Sequence, residues 1–178
     1  MDRLGAVAWL LLVAGGKKAT QRCPCGYLTD PRGRCRCPST KVARYLAKVS
    51  GPLLDRIDLH VDVPAVPFDA LTHAPSGETS AQIKVRVLRA QKRRHKRGQP
   101  HTNAQLTSKE LKTHCEMTPE AWSLLKSAMR ELSLSARSYT KILKIARTIA
   151  DLGRSGPMLP EHIAEAIQYR SLDRQWWV

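Results

Sequence analysis

Four cysteines stand as two Cys-x-Cys pairs, Cys23 with Cys25 and Cys35 with Cys37, nine residues apart. Four thiolates can close a tetrahedral Zn²⁺ site, and the metal would then fold a segment too polar to fold alone. Pro24, Gly26, Pro31, Gly33 and Pro38 forbid regular structure in that segment. Cys-x-Cys is a less usual zinc spacing than Cys-x-x-Cys. The array therefore also fits four reduced structural thiols, or two disulfides in an exported chain. Arg22, Arg32, Arg34 and Arg36 surround it, and nearby cations are expected to lower the thiol pKa values. Cys115, beside His114, reads as an ordinary buried or half-buried residue.

Three further features involve arginine and lysine. A lone arginine, Arg56, sits between Asp55 and Asp58 at an apolar helix-to-strand junction. From the edge of a rigid strand it could reach a neighbouring molecule; the plainer alternative is a surface pair with Asp55, which contributes little. Arg137 opens a long helical pattern and by itself reads as an exposed first-turn cation. Lys84, Arg86, Arg89, Lys92, Arg93, Arg94, Lys96 and Arg97 put eight cations into fourteen residues. Such a run can track a phosphate backbone, each contact adding to salt sensitivity, or it is simply a solvated helix end. No aromatic interleaves it, so base stacking and sequence-specific reading are not indicated there. The Trp176-Trp177 pair reads as apolar docking surface. No paired-carboxylate, Ser/His/Asp or Cys/His arrangement forms a hydrolytic site.

The elements that must position these residues follow from periodicity and punctuation. Leu4–Ala14 is an apolar run of eleven residues, too short to span a bilayer and best read as a buried strand. Ser39 or Thr40 caps a helix to about Ser50, with Val42, Tyr45, Leu46 and Val49 on one face and Lys41, Arg44 and Lys48 on the other. Gly51-Pro52 breaks it, and Ile57–Val63 alternates as a half-buried strand. Pro64 and Pro67 start a loop to about Gly77. The rest predicts helices. One opens at Glu78-Thr79-Ser80, has Ile83, Val87 and Ala90 on one face, and stops at Gly98 and Pro100. A short helix spans about Ser108–Cys115. Another starts at Thr118-Pro119 and carries Trp122, Leu125 and Met129. A long one follows Ser135 with Ile142, Ile145, Ala146 and Ile149, and Gly153–Pro157 forms a turn. The last starts at Pro160 with Ile163, Ala166 and Ile167. This second part predicts a small all-α bundle.

The chain has 178 residues, enough for one medium domain or two small ones. Its apolar fraction of 42% suffices for a core, but a single Phe leaves the packing to Leu, Ile, Val and Ala. Thirty Lys and Arg against fifteen Asp and Glu give +15, which favours a polyanionic partner such as DNA, RNA or an acidic protein face.

The segment Gly51-Pro-Leu-Leu-Asp-Arg-Ile-Asp-Leu59 closely resembles the arginine-finger segment of the Mg-chelatase-like AAA+ ATPases, specifically the ComM/YifB branch. Three further blocks resemble that family in the family's order: Cys23-Pro-Cys-Gly-Tyr27 with Cys35-Arg-Cys37, Leu134-Ser-Ala-Arg-Ser-Tyr139, and His162-Ile-Ala-Glu-Ala-Ile-Gln-Tyr-Arg170. The resemblance covers roughly residues 23–177. It implies Arg56 as an arginine finger completing the ATP site of an adjacent subunit, and Arg137 as the sensor-2 arginine acting from a lid bundle. It implies hexameric, ATP-driven motors acting on DNA, with branch migration in natural transformation attributed to the ComM type. Two family parts are not in this sequence: a phosphate loop ending in Gly-Lys-Ser/Thr, and an acidic strand end that holds Mg²⁺. Gly15-Gly16-Lys17-Lys18 lacks the earlier Gly and the following Ser/Thr and reads as a turn. Where the family has an Asn that senses the γ-phosphate, this chain has Lys17-Lys-Ala-Thr-Gln-Arg22. The first twenty-two residues are therefore expected to be foreign to the family, through a truncated or shifted reading frame.

The expected fold is mainly α. Residues 1–66 would be the remnant of an α/β AAA+ core carrying the cysteine loop and finger segment, 67–77 a linker, and 78–178 a helical lid bundle. The expected function is that of a C-terminal fragment of a ComM-type ATPase, cytoplasmic and not membrane-bound, partnered by AAA+ subunits and DNA. ATP and Mg²⁺ would then sit only at a subunit interface, with no turnover by this chain alone, and Zn²⁺ at the cysteines. Two other classes fit the composition: a basic nucleic-acid-binding or adaptor module with no nucleotide role, and a non-functional gene remnant.

Overall fold

The computed structural model describes residues 8–13, 16–21, 23–28, 33–48, 51–63 and 77–170. Trp176-Trp177, Arg22, Arg32 and the loop after Pro64 lie outside the described residues. The described residues are mostly helical and fall in two compact units, one up to Gly77 and one from Glu78 to Arg170.

The first unit holds a three-stranded antiparallel sheet of β1 (Ala8–Val13), β2 (Gly16–Gln21) and β3 (Leu59–Val63), in the order β2-β1-β3. The apolar run forms the central strand. It pairs Val13 with Gly16 on one edge and Leu12 with Leu59 on the other. Gly16-Lys17-Lys18 is not a turn but the start of β2. Gly16 already pairs with Val13, and Lys17 and Lys18 pair with Leu12 and Leu11. Helix α1 spans Ser39–Leu46, shorter than expected, and Pro38 at its N-cap offers no side-chain cap. Gly51–Leu54 makes one helical turn, α2, where only a break was expected; Pro52 is tolerated because first-turn N–H groups have no intrahelical partner anyway. Leu54 and Ile57 are buried behind that turn, and β3 begins two residues later than the alternation predicts.

In the second unit every α-helix start but the last is set by a short polar side chain. Thr79 caps α3 (Ser80–Lys96), accepting from the Gln82 N–H at 3.3 Å, while Gln82 accepts from the Thr79 N–H at 2.8 Å. Thr107 and Glu110 do the same for α4 (Ser108–His114). Thr118 with Pro119 starts α5 (Pro119–Glu131), Ser135 starts α6 (Ala136–Leu152), and Pro160 opens α7 (Pro160–Gln168). After α6 the left-handed residue is Arg154 (φ 63°), not Gly153. A single parallel bridge joins Met117 to Met158, with the Thr118 N–H donating to the Met158 carbonyl at 3.1 Å.

The core of the bundle is Leu111, Leu125, Ile142, Leu143, Met158 and Ile163, closed by Ala121, Ala128, Ala146, Ala150 and Ala166. On α5 the buried stripe is Ala121, Leu125 and Ala128, and Trp122 is 49% exposed. The small residues, not the large aromatic, face inward because they let neighbouring helices approach closely. Ile145 and Ile149 are only half-buried. The expected apolar face of α3 is not covered: Ile83 and Val87 are exposed, and α3 has no buried residue.

Candidate functional site

The cysteine loop carries two left-handed glycines. Gly26 (φ 79°) closes a turn in which its N–H donates to the Cys23 carbonyl at 3.0 Å, and Gly33 is left-handed (φ 61°) two residues before Cys35. The four sulfurs of Cys23, Cys25, Cys35 and Cys37 lie within 4.8 Å of one another, and all are free thiols. Cys23 is buried and Cys25 exposed. The Cys23–Cys25, Cys25–Cys35 and Cys23–Cys35 sulfur separations are 3.2, 3.6 and 3.8 Å. Tetrahedral coordination with Zn–S bonds of about 2.3 Å puts sulfurs about 3.8 Å apart, so the donor set fits zinc in number, type and spacing.

Among the described arginines, neither Arg34 nor Arg36 sets the thiol chemistry as expected. The backbone N–H of Tyr27 and the Cys23 thiol lower Cys25 to about 6. The Cys37 backbone N–H lowers Cys35, but desolvation and the Cys25 and Cys23 thiols outweigh it and push it up to about 11. Hydrogen bonding to Cys25 raises Cys37. Arg34 stacks its guanidinium over the Tyr27 ring, 4.3 Å from the centroid.

Arg56 stands on the two-residue turn between α2 and β3. The turn is pinned on both sides by Leu54 (2% exposed) and Ile57 (0%), and the Arg56 side chain itself is exposed. Among the described residues it makes no ion pair, with Asp55 or with Asp58. Arg137 is the second residue of α6 and is also exposed. The two arginines belong to different units.

The eight cations of the basic run lie on α3 and the residue after it, and at about 100° per residue they spread around the helix. Arg86 makes a bidentate pair with Glu78 at 2.6 and 2.9 Å, and Arg94 contacts His95 at 3.0 Å. Arg97 is engaged within the bundle. Its fork donates to both carboxylate oxygens of Asp151 at 2.7 and 3.0 Å and to Gln99. Lys84, Arg89, Lys92, Arg93 and Lys96 make no ion pair among the described residues.

Sequence reasoning missed the partner of Arg97. Asp151 is 3% exposed and also accepts from Arg147 (1% exposed) at 3.0 Å and from Asn103 at 3.0 Å. Arg147 spends its other donors on the carbonyls of Gly156 and Ser155. Gln99, 1% exposed, links Arg97 to Asn103. Burial alone would raise Asp151; the donors Arg97 and Asn103 and the charge of Arg147 hold it below its ordinary 3.8. A signal was available, since Arg147 and Asp151 are four apart on the same helix face as Leu143, Ala146 and Ala150.

Residues 77–170 match the family described as magnesium chelatase, subunit ChlI C-terminal, and residues 9–71 match magnesium chelatase, subunit ChlI. The second match begins within β1, so the first twenty-two residues are not foreign to the family as a whole. The YifB protein of Salmonella typhimurium is 39% identical over 140 residues, covering 78% of this chain and 28% of the relative. YifB of Escherichia coli is 40% identical over 140 residues, with the same coverage. The competence protein ComM of Haemophilus influenzae is 38% identical over 152 residues, covering 85% of this chain and 29% of that protein. The chain thus spans somewhat under a third of the length of these relatives. No helix among the described residues is long and apolar enough to cross a membrane. With both of its parts matched in order, the chain belongs to the magnesium chelatase ChlI family.

Proposed function

We propose that these residues form the arginine-finger and lid portion of a ComM-type AAA+ ATPase, an ATP-driven motor on DNA. Residues 1–66 are the partial core, 67–77 the linker and 78–178 the lid. The observation that carries this reading is Arg56, an unpaired, exposed guanidinium on a turn fixed by two buried side chains. That is what an arginine needs to act outside its own subunit: a rigid base and a charge not already neutralised. Arg56 reaches the ATP site of an adjacent subunit and offsets the charge that develops on the transferring phosphoryl group. Arg137 contacts the nucleotide from the lid. Lys84, Arg89, Lys92, Arg93 and Lys96 supply the phosphate contacts to DNA, while Arg97 fixes the end of the helix that carries them.

The thiols of Cys23, Cys25, Cys35 and Cys37 hold a zinc ion, which supplies a tetrahedral cross-link to a loop with little core of its own. A cytoplasmic setting keeps those thiols reduced.

The test is ATP hydrolysis by the chain alone and in mixtures with a family subunit that carries its own phosphate loop. No phosphate loop ending in Gly-Lys-Ser/Thr occurs in these 178 residues. The chain alone should show no turnover, and the mixture should exceed the subunit alone. Steady hydrolysis by the chain that survives purification, or no gain in the mixture, contradicts the reading. The five unpaired cations also favour a second reading, a basic nucleic-acid-binding module with no nucleotide role. That reading predicts DNA binding with no effect on a partner's ATPase.

A further inference from the structure

A concavity of about 390 Å³ opens in the first unit beside the cysteine loop, lined by Pro24, Thr40, Lys41, Arg44, Tyr45 and Lys48. Among the described residues no carboxylate lines it. Lys41, Arg44 and Lys48 recur at i, i+3 and i+7, one face of α1 and its continuation, and are all exposed. Among the described residues none of the three is ion-paired. In the second unit Arg86, Arg97 and Arg147 each have a carboxylate partner, while five cations of α3 resemble the three on α1 in having none among the described residues. The local sequence offers no such partner: between Asp30 and Asp55 stand six Lys and Arg and not one Asp or Glu. Three cations gathered around a cavity repel one another unless an anion joins them.

Tyr45 adds a second feature. It is half-buried in the wall, and the Lys48 ammonium stands 5.8 Å from its ring centroid. The positive charge and the aromatic face therefore belong to one site. Cationic rows interleaved with an aromatic are how proteins hold single-stranded nucleic acid, the row taking phosphates and the ring stacking a base. The basic run on α3 lacks that aromatic. The three cations span about 10 Å of helix axis, more than one phosphate needs. The cavity lies at the small end of the range for ligand pockets, about 300–1,000 Å³, room for one nucleotide but not for a duplex.

We infer that the groove between the cysteine loop and α1 binds single-stranded nucleic acid, with backbone phosphates on Lys41, Arg44 and Lys48 and one base against Tyr45. This deepens the DNA side of the proposed function by naming a single-strand site away from α3, and it rests on that reading for the kind of partner. Closing the cysteine loop around its metal would fix Pro24, and with it one wall of the groove.

The test is fluorescence anisotropy of the whole chain with a labelled oligothymidylate of about twenty nucleotides and with a matched duplex, across a salt series. Replacing Lys41, Arg44 and Lys48 together by Ala should reduce the salt slope by about two, from roughly 0.7 per lost single-strand contact. Tyr45→Ala should weaken binding about tenfold with the slope unchanged, and Tyr45→Phe, which keeps the ring, should bind as the wild type does. Circular dichroism checks that the variants fold. If the triple variant does not, photo-crosslinking of wild type to 4-thiothymidine oligonucleotide decides, and must label the peptide that carries Tyr45. An unchanged slope in a folded triple variant, indifference to Tyr45→Ala, or labelling confined to α3 overturns the proposal. So does competition by adenosine monophosphate or inorganic phosphate as strong as that by the oligonucleotide, which would make the groove a small-anion site. Loss of strand binding with the groove variants stands even where the mixed-subunit ATPase assay fails, so the two readings fail separately.

Discussion

At the scale of single residues, the cysteine array is where sequence and geometry meet most directly. Two Cys-x-Cys pairs can lie far apart along a loop, yet here the four sulfurs gather within 4.8 Å, with a left-handed glycine near each pair. The separations of 3.2 to 3.8 Å then match the edges of a small tetrahedron. Protein purified without chelator should carry about one Zn²⁺ per chain, lost when Cys35 and Cys37 are replaced by Ser. Metal analysis checks this, and a metal-free wild type would leave the thiols structural. That these four cysteines form one group was legible because spacing is a one-dimensional property. Their electrostatics were not. The sequence puts arginines beside the thiols, yet backbone N–H groups and thiol–thiol contacts set the pKa values, while Arg34 turns to Tyr27. Which way a long side chain turns is a three-dimensional fact.

At the scale of elements, helix starts were legible and burial was not. Thr118 with Pro119, Ser135 and Pro160 mark starts that the structure keeps, because a cap is a local bond between residues three apart. Trp122 and the apolar positions of α3 show the limit, since periodicity finds a stripe but not what packs against it. The buried ion network is the element-scale surprise. Asp151→Asn leaves Arg147 and Arg97 without their charge partner in a nearly dry site, which should destabilise the bundle by about 3 kcal/mol or more. In a domain of this size that lowers Tm by roughly 12 °C or more. The sign with pH follows from the depressed pKa. The stabilisation is fully present above the unfolded value near 3.8 and is lost as pH falls through the lower folded value. The Tm of wild type should therefore fall more steeply below about pH 4 than that of the variant; parallel acid limbs would remove Asp151 from the account. On α3, replacing Lys92, Arg93 and Lys96 by Ala should flatten the duplex-DNA salt slope by about 2.7, near 0.9 per contact. Arg97 is left out of that set because its loss would disturb the network as well. An unchanged slope returns α3 to a solvated helix end.

At the scale of the whole molecule, four short blocks in one order sufficed to place the chain in its family, and the two matches covering 9–71 and 77–170 agree with that placement. The first twenty-two residues were misjudged because one altered stretch, Lys17–Arg22, was extended to the strand before it, and β1 pairs in the same sheet as β3. On the proposed reading, what this chain does in an assembly rests on a group that contributes little to its own fold: Arg56, exposed and unpaired on a buried footing. The most direct measurement is ATP hydrolysis and nucleotide affinity in mixtures of this chain with a family subunit that carries its own phosphate loop, with Arg56 present or replaced by Ala. The account predicts that Arg56→Ala lowers the rate gained in the mixture by about a thousandfold or more at the shared site, while nucleotide binding by the partner is unchanged. A rate gain that survives Arg56→Ala would contradict it.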